Sequence, residues 1–457
     1  MRHYDALVVG GGMAGLPMAL RAARHGRVAL VERELLGGTC LNRGCIPTKT
    51  MIASAKVAEQ VRRAAEFGVH TGPPTVDLNA VVDRKDAIVA PIRDGAYRDV
   101  RASGDIDLLE GEGRFVVGRR FRVGDTELEA RHVFLNAGTR DTLPPIDGLQ
   151  AVPYLTSRSM LELRELPEHL LVVGGGYIGC EFAQMFRRFG SRVTIVQRAD
   201  RLLSSEEPDL SQTVLDAFAA EGIDVLAATT CTSASAPNRG IRITCEGQED
   251  TELTGSHLLV ATGRTPNTDT LGLDHLDLAP DERGYLNVDD RLHTTSEDVW
   301  ALGDLRGGPM FTHTARDDAD VVYRTVYRDQ DRTIADRVTP HAVFVDPEVA
   351  SVGLTEQQAR DAGHQIATGT QAFAGVVRAR AIGETRGLIK FVVDSDTDRI
   401  LGCHIAGPHA GELVHEAVIA IVAGASYSDV RRAIHIHPTL SEGINSAAGG
   451  VHRETGT

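Results

Sequence analysis

Short apolar runs divided by glycine-rich breaks organise this chain. The run ALVV (6–9) ends at Gly10, Gly12 and Gly15, and a helix-prone stretch follows. VALVE (28–32) is the next apolar run. A run of four to eight apolar residues bounded by glycine reads as a buried strand. The same order recurs in HLLVVGGGYIGCEFAQMFRRFG, with Gly174, Gly176 and Gly179, and then VTIV. Further helix-prone segments lie near 47–67 and 77–103. PPIDGL (144–149) has linker chemistry, and SASAPNRG (233–240) reads as a loop between short strands. VWAL (299–302) is a strand ending at Gly303 and Asp304. After Pro340 the pattern changes to strands (VFVDPEVASVGL, GLIKFVVD, ILGCHIAG) alternating with long helices. The expected fold is α/β: two Rossmann-like nucleotide-binding domains and a C-terminal α+β domain. The boundaries fall at 1–145 with 266–337, 146–265, and 338–457.

A chain of 457 residues is too long for one ordinary domain, which agrees with that division. The net charge of -15, with no basic block to offset it, excludes a nucleic-acid partner. No apolar run approaches the roughly 18 residues of a membrane span. MRHYDALVVGGG enters a strand at once, so no signal peptide is expected and a cytoplasmic location is. Structural disulfides are then not expected, and cysteines that matter should be catalytic, metal-binding or buried.

The glycine triplets have a physical reading. The first glycine permits a tight turn, the second lets a pyrophosphate approach the backbone, and the third lets helix pack on strand. Free N–H groups at the helix start then face the phosphate. Glu32, about 20 residues on, is placed to hold ribose hydroxyls. In the second loop the acid is missing, and Gln197 and Arg198 stand at the strand's end. A carboxylate would repel a 2′-phosphate and an arginine would attract it. The first cradle therefore suits FAD or NAD, and the second leans to NADPH. The bland reading of Arg198 is a solvated surface residue. Asp304, at a strand's C-terminal end, points into the ligand crevice of an open α/β sheet.

Residues 37–49 read GGTCLNRGCIPTK. Cys40 and Cys45 are a packing pair, half of a metal site, or a disulfide that opens and closes. A metal would need two more ligands at paired spacing, and Cys180, Cys231, Cys245 and Cys403 are scattered singly along the sequence. On a regular helix residues five apart have Cα atoms about 8.7 Å from each other. A disulfide tolerates at most about 6.8 Å. If the pair closes, the turn between must be distorted, as Gly37, Gly38 and Gly44 would allow. A helix starting at Cys45 would lower a thiolate's pKa.

GGTCLNRGCIPTK resembles the redox signature of the flavin-dependent pyridine nucleotide-disulfide oxidoreductases. The resemblance spans essentially the whole chain, through both glycine loops, ATGRTPNT (261–268), Gly303–Asp304 and HPTLSE. It implies FAD on Gly10, Gly12, Gly15, Glu32, Gly38, Thr39, Lys49, Gly303 and Asp304. It implies the nicotinamide coenzyme, NADPH with NADH as the second option, on Gly174, Gly176, Tyr177, Gly179, Arg198 and Gly263. By the same resemblance Cys40 attacks the substrate disulfide and Cys45 faces the flavin. Lys49 stands near the flavin and pairs with Glu181, and Tyr177 shields the flavin and moves when nucleotide binds. His437 is the acid/base catalyst, oriented by Glu442. His435 serves as the contrast: with 17 histidines, most are surface or packing residues. The catalytic pair of such enzymes comes from the other subunit, which implies a homodimer with shared active sites. The C-terminal domain would then be the dimerisation domain.

The chain also departs from members of that family. Mercuric reductases need a cysteine pair near the C-terminus, and the tail INSAAGGVHRETGT has none. The same tail argues against a thioredoxin reductase with a C-terminal relay. Leu20 stands where glutathione reductase has a substrate arginine. Dihydrolipoamide dehydrogenase has a glutamate where Gln197 stands, and the NADP pattern is itself incomplete, with Ser204 in place of a second arginine. The expectation is an NADPH-dependent reductase of a small disulfide. The alternative is an NAD-dependent dihydrolipoamide dehydrogenase docked in a 2-oxo-acid dehydrogenase complex. A flavin-bearing redox sensor is the third reading, with no sequence feature in its favour.

Overall fold

The computed structural model describes residues 1–237 and 240–453. The chain forms two compact units, one of residues 1–51, 79–142 and 263–337, the other of 52–78, 143–262 and 338–457.

The first unit is built on a seven-stranded sheet. Arg2–Val9 lies at its centre, parallel to Val28–Glu32 on one side and Thr126–Leu135 on the other. Ile106–Glu110 extends the first edge in parallel, and Val299–Ala301 pairs with the 126–135 strand. Ala6, Val8, Val28 and Leu30 face a core shared with the Gly15–Ala22 and Thr312–Arg328 helices. Leu7, Val9, Ala29 and Val31 face a second core. Burial on both faces is why these strands read as unbroken apolar runs.

The second unit holds a four-stranded parallel sheet ordered Ile223–Leu226, Arg192–Val196, His169–Val173, His257–Val260. Beside it in sequence lies a three-stranded antiparallel sheet, Thr230–Ser235, Ile241–Glu246 and Thr251–Gly255. The first of these strands runs through Ser233–Ser235, so the expected loop starts only after it. Residues 238 and 239 of that loop lie outside the described residues. The C-terminal part is a six-stranded antiparallel sheet packed on helices. VFVDPEVASVGL is two strands, His341–Val343 and Glu348–Gly353, because Pro347 lacks the N–H a ladder needs. The helices here are mostly shorter than expected: Ala410–Val422 has 13 residues, whereas Glu442–Gly449 has 8 and Tyr427–Arg432 has 6. No described helix is long and apolar enough to cross a membrane.

Candidate active site

Cys40 lies on the short Gly38–Arg43 helix, which Gly44 ends at φ −138°, ψ −113°. A new helix, Cys45–Arg63, begins at the next residue. A Cβ on Gly44 would stand 3.0 Å from the Thr39 carbonyl oxygen and 3.4 Å from the Cys40 Cα. The chain thus doubles back at the one residue with no side chain to obstruct it. That break interrupts the continuous helix that would hold the two cysteines apart, and the Cys45 thiol acts on Cys40 as its closest electrostatic neighbour. Cys45, with burial behind it, pushes the Cys40 thiol above its ordinary range; Thr312 and Arg316 pull the other way. Cys45 Sγ lies 3.5 Å from Thr312 Oγ1. Cys45 also opens a 19-residue helix, so its sulfur sits at the positive end of the helix dipole. Of the two sulfurs, Cys45 is the better placed to carry negative charge. Lys49 follows one turn later on the same helix.

The first glycine loop is built to admit phosphate. Gly10 has φ +99°, and a Cβ on Gly15 would lie 1.9 Å from the Gly10 carbonyl oxygen. Gly12 and Gly38 face each other, a Gly38 Cβ falling 2.8 Å from the Gly12 Cα. Glu32 accepts the Gly11 N–H at 2.8 Å and the Glu34 N–H at 2.9 Å. Burial raises its pKa. Asp304, just past Gly303, accepts from Thr139 Oγ1 at 3.1 Å, and Arg264 donates to the same hydroxyl at 2.8 Å. Burial raises the Asp304 pKa against the pull of Arg264. A backbone cradle with two carboxylates at its ends suits a dinucleotide with ribose hydroxyls, so these residues fit FAD.

The second loop copies the first. A Cβ on Gly179 would lie 1.9 Å from the Gly174 carbonyl oxygen, whereas one on Gly176 meets nothing within 4 Å. Gln197 Oε1 accepts the Gly175 N–H at 3.0 Å, the bond Glu32 makes to Gly11. A neutral amide therefore occupies the acid's place. Arg198 is exposed beside it, and Arg201 donates to the Ser204 carbonyl at 3.0 Å. Gly263 holds φ +126°.

Tyr177 opens the Tyr177–Phe189 helix, and its hydroxyl donates to Glu206. Glu206 is bound in turn by His341 at 2.7 Å and Ser351 at 2.7 Å. Burial alone would raise the Glu206 pKa; His341, Tyr177 and Ser351 reverse that and hold it low. Burial, then Glu206, pushes the Tyr177 hydroxyl up. Glu181, buried on the same helix, accepts the Phe344 N–H at 2.9 Å.

His437 Nδ1 lies 2.9 Å from Glu442 Oε1, and Glu442 Oε2 accepts the Thr439 N–H at 3.0 Å. The bond to His437 holds the Glu442 carboxyl below its usual range. With Nδ1 donating to Glu442, Nε2 is the nitrogen left to exchange a proton. The His437 side chain is 67 % exposed. His435 instead binds Glu416 at 2.6 Å.

Thr312, Arg316, Glu206, His341 and Arg264 escaped the sequence reading. Each reaches its partner from a distant segment; Arg264 sits in ATGRTPNT beside Gly263, but nothing in that run marks its partner.

Residues 4–319 match the pyridine nucleotide-disulphide oxidoreductase family, and residues 339–448 match that family's dimerisation domain. The chain is 37% identical over 453 residues to a mercuric reductase of Streptomyces lividans, covering 97% of this chain and 95% of that one. It is 37% identical to a dihydrolipoyl dehydrogenase of Halobacterium salinarum, at 97% and 95% coverage. The solved structure of the HOCl-induced flavoprotein disulfide reductase RclA of Escherichia coli superposes with a TM-score of 0.89 at 34% identity, covering 98% of this chain and 99% of that one.

Proposed function

Because the chain belongs to the pyridine nucleotide-disulphide oxidoreductases, FAD-dependent enzymes that use NAD(P)H on sulfur groups, we propose that it is an NADPH-dependent reductase of a small disulfide with Cys40 and Cys45 as its redox pair. The observation that carries this reading is the helix break at Gly44, which separates the turn holding Cys40 from the helix that Cys45 opens. We assign residues 1–145 and 266–337 to FAD, 146–265 to NAD(P)H and 338–457 to pairing of the subunits.

Bound FAD supplies the electron relay between the nicotinamide and the cysteines. The protein's own residues do the rest. His437 Nε2 takes the Cys40 proton, the Cys40 thiolate attacks one sulfur of the substrate, a mixed disulfide forms, and the first thiol leaves. His437 Nε2 gives that thiol its proton, and Glu442 steadies the imidazolium. The Cys45 thiol then gives its proton to His437 and attacks Cys40, the Cys40–Cys45 bond closes, and the second thiol departs with that proton. One substrate disulfide becomes two thiols while two cysteine thiols become one disulfide. His437 and Glu442 would come from the second subunit of a homodimer.

NADPH is supported by Gln197 in the acid's position and by Arg198 beside it. Arg201 supplies a second cation next to Ser204. NAD-dependent dihydrolipoamide oxidation is the competing reading, favoured by the identity to dihydrolipoyl dehydrogenases. Steady-state rates with NADPH and NADH against a panel of small disulfides, lipoamide included, separate the two. NADPH-specific turnover of a low-molecular-weight disulfide is expected. NADH-specific turnover confined to lipoamide would overturn the proposal.

A further inference from the structure

Cys231 and Cys245 are fourteen positions apart in sequence but directly opposite each other in the antiparallel pair Thr230–Ser235 and Ile241–Glu246. Residues opposed in this way have Cα atoms about 4.5–5.5 Å apart, inside the span of a disulfide. The neighbouring Cys245 thiol, with burial behind it, pushes the Cys231 thiol above its ordinary range, and Cys231 Sγ lies 3.8 Å from the Ser233 carbonyl oxygen. Cys231 is 6% exposed and Cys245 is fully buried, both within the core lined by Ile243 and Val260. The mechanism above uses neither. A bulge follows Cys231, where the register slips before Ser233.

The place matters as much as the pair. The Thr229 N–H donates to the Gln197 carbonyl at 2.9 Å, and the Ala228 N–H donates to the Ala199 carbonyl at 2.8 Å. These bonds bracket Arg198. On the other strand Gly247, two residues past Cys245, packs on Thr229, where a Cβ would fall 2.8 Å from its hydroxyl. The base of the hairpin therefore grips the segment that carries the nucleotide-reading side chains.

We propose that Cys231 and Cys245 form a second dithiol, closed by a small peroxide to a cross-strand disulfide that restrains the Gln197–Ala199 segment and alters nucleotide binding. The stoichiometry balances. Two thiols give up two electrons and two protons, a sulfur–sulfur bond forms, the peroxide O–O bond breaks, and its oxygens leave as water. Directly opposed Cβ atoms stand about 4.5–5.5 Å apart in a sheet, whereas a relaxed disulfide prefers about 3.8 Å. Closure must draw the strands together, and the bulge at residue 232 gives slack for it. A bond under such tension is easily reduced, which makes the change reversible. The neighbouring Cys231 thiol lowers the Cys245 pKa against the effect of burial.

The nucleotide half of this proposal rests on the reading of Arg198 given above; the cross-link does not. The test treats the FAD-loaded enzyme with hydrogen peroxide, removes it, restores the Cys40–Cys45 pair with NADPH, alkylates and maps the peptides. A linked Cys231–Cys245 peptide pair is expected, together with a several-fold change in the KM for NADPH that thiol reductant reverses. Neither effect should occur in C231S or, if that variant folds poorly, in C245A. Full alkylation of both cysteines after peroxide overturns the proposal whatever the coenzyme preference proves to be. A cross-link with unchanged KM for both coenzymes overturns the claim on nucleotide binding and leaves the preference for NADPH untouched.

Discussion

Cys45, Thr312, His437 and Glu442 can each be tested through one or two named contacts. Cys45→Ser should abolish disulfide turnover while FAD still binds, read from the flavin spectrum and the rate together. Thr312 Oγ1 is the hydroxyl beside Cys45 Sγ at 3.5 Å. Thr312→Val removes a stabiliser of thiolate charge, so thiolate absorbance in a pH titration of the reduced enzyme should appear at higher pH than in the parent. His437→Ala should lower kcat by about 10²–10⁴-fold, the usual worth of a positioned acid/base. Glu442→Gln tests orientation. The native carboxyl is held low by His437, so it is ionised at neutral pH; the neutral amide should cut kcat and move the pH profile. Cys40 and Cys45 stand out by their spacing between glycines, whereas His437 and Glu442 were marked through the family resemblance that HPTLSE carries. Thr312 was not, since 267 residues separate it from Cys45 and only the fold brings it there.

Elements show the same division. The glycine loops announce themselves because a Cβ on Gly15 or Gly179 would strike the Gly10 or Gly174 carbonyl. Gly15→Ala should therefore yield a protein purified without FAD, with a lowered melting temperature. The break at Gly44 could be inferred from the reach of a disulfide alone. The C-terminal sheet was harder, because Pro347 divides one apolar run into two strands and Ile366–Ala372, rich in small and polar residues, reads weakly. That sheet is tied by Lys390, which is buried and pairs with Glu207, Asp209 and Glu356. Lys390→Met strands those carboxylates, Glu207 deeply buried among them. It should destabilise by about 3–5 kcal/mol in denaturant unfolding. A loss under 1 kcal/mol would show that water reaches the cluster.

At the scale of the whole molecule, the C-terminal part leaves several large apolar side chains exposed. Ile434 is fully exposed and Ile436 is 77% exposed, beside His437 in sequence, with Ile419 and Val422 also bare on the Ala410–Val422 helix. The family's dimerisation domain covers this region. Ile434→Asp with Ile436→Asp should give monomers by light scattering, with disulfide turnover lost in step; active monomers would show that each chain has its own complete site. Coenzyme choice belongs to the assembled enzyme too. Arg198→Ala with Arg201→Ala should lower kcat/KM for NADPH by about tenfold or more, since a charged hydrogen bond is worth about 1.5–3 kcal/mol, and leave NADH unaffected. Gln197 and Glu32 secure their loops through the same backbone amide, one as an amide and the other as an acid. The loop's geometry is thus indifferent to the sign at its tip, save for one long bond from Gln197 to the Arg201 carbonyl. On the proposed NADPH reading, Gln197→Glu, a single-base change, keeps an acceptor for the Gly175 N–H and should raise kcat/KM for NADH relative to NADPH.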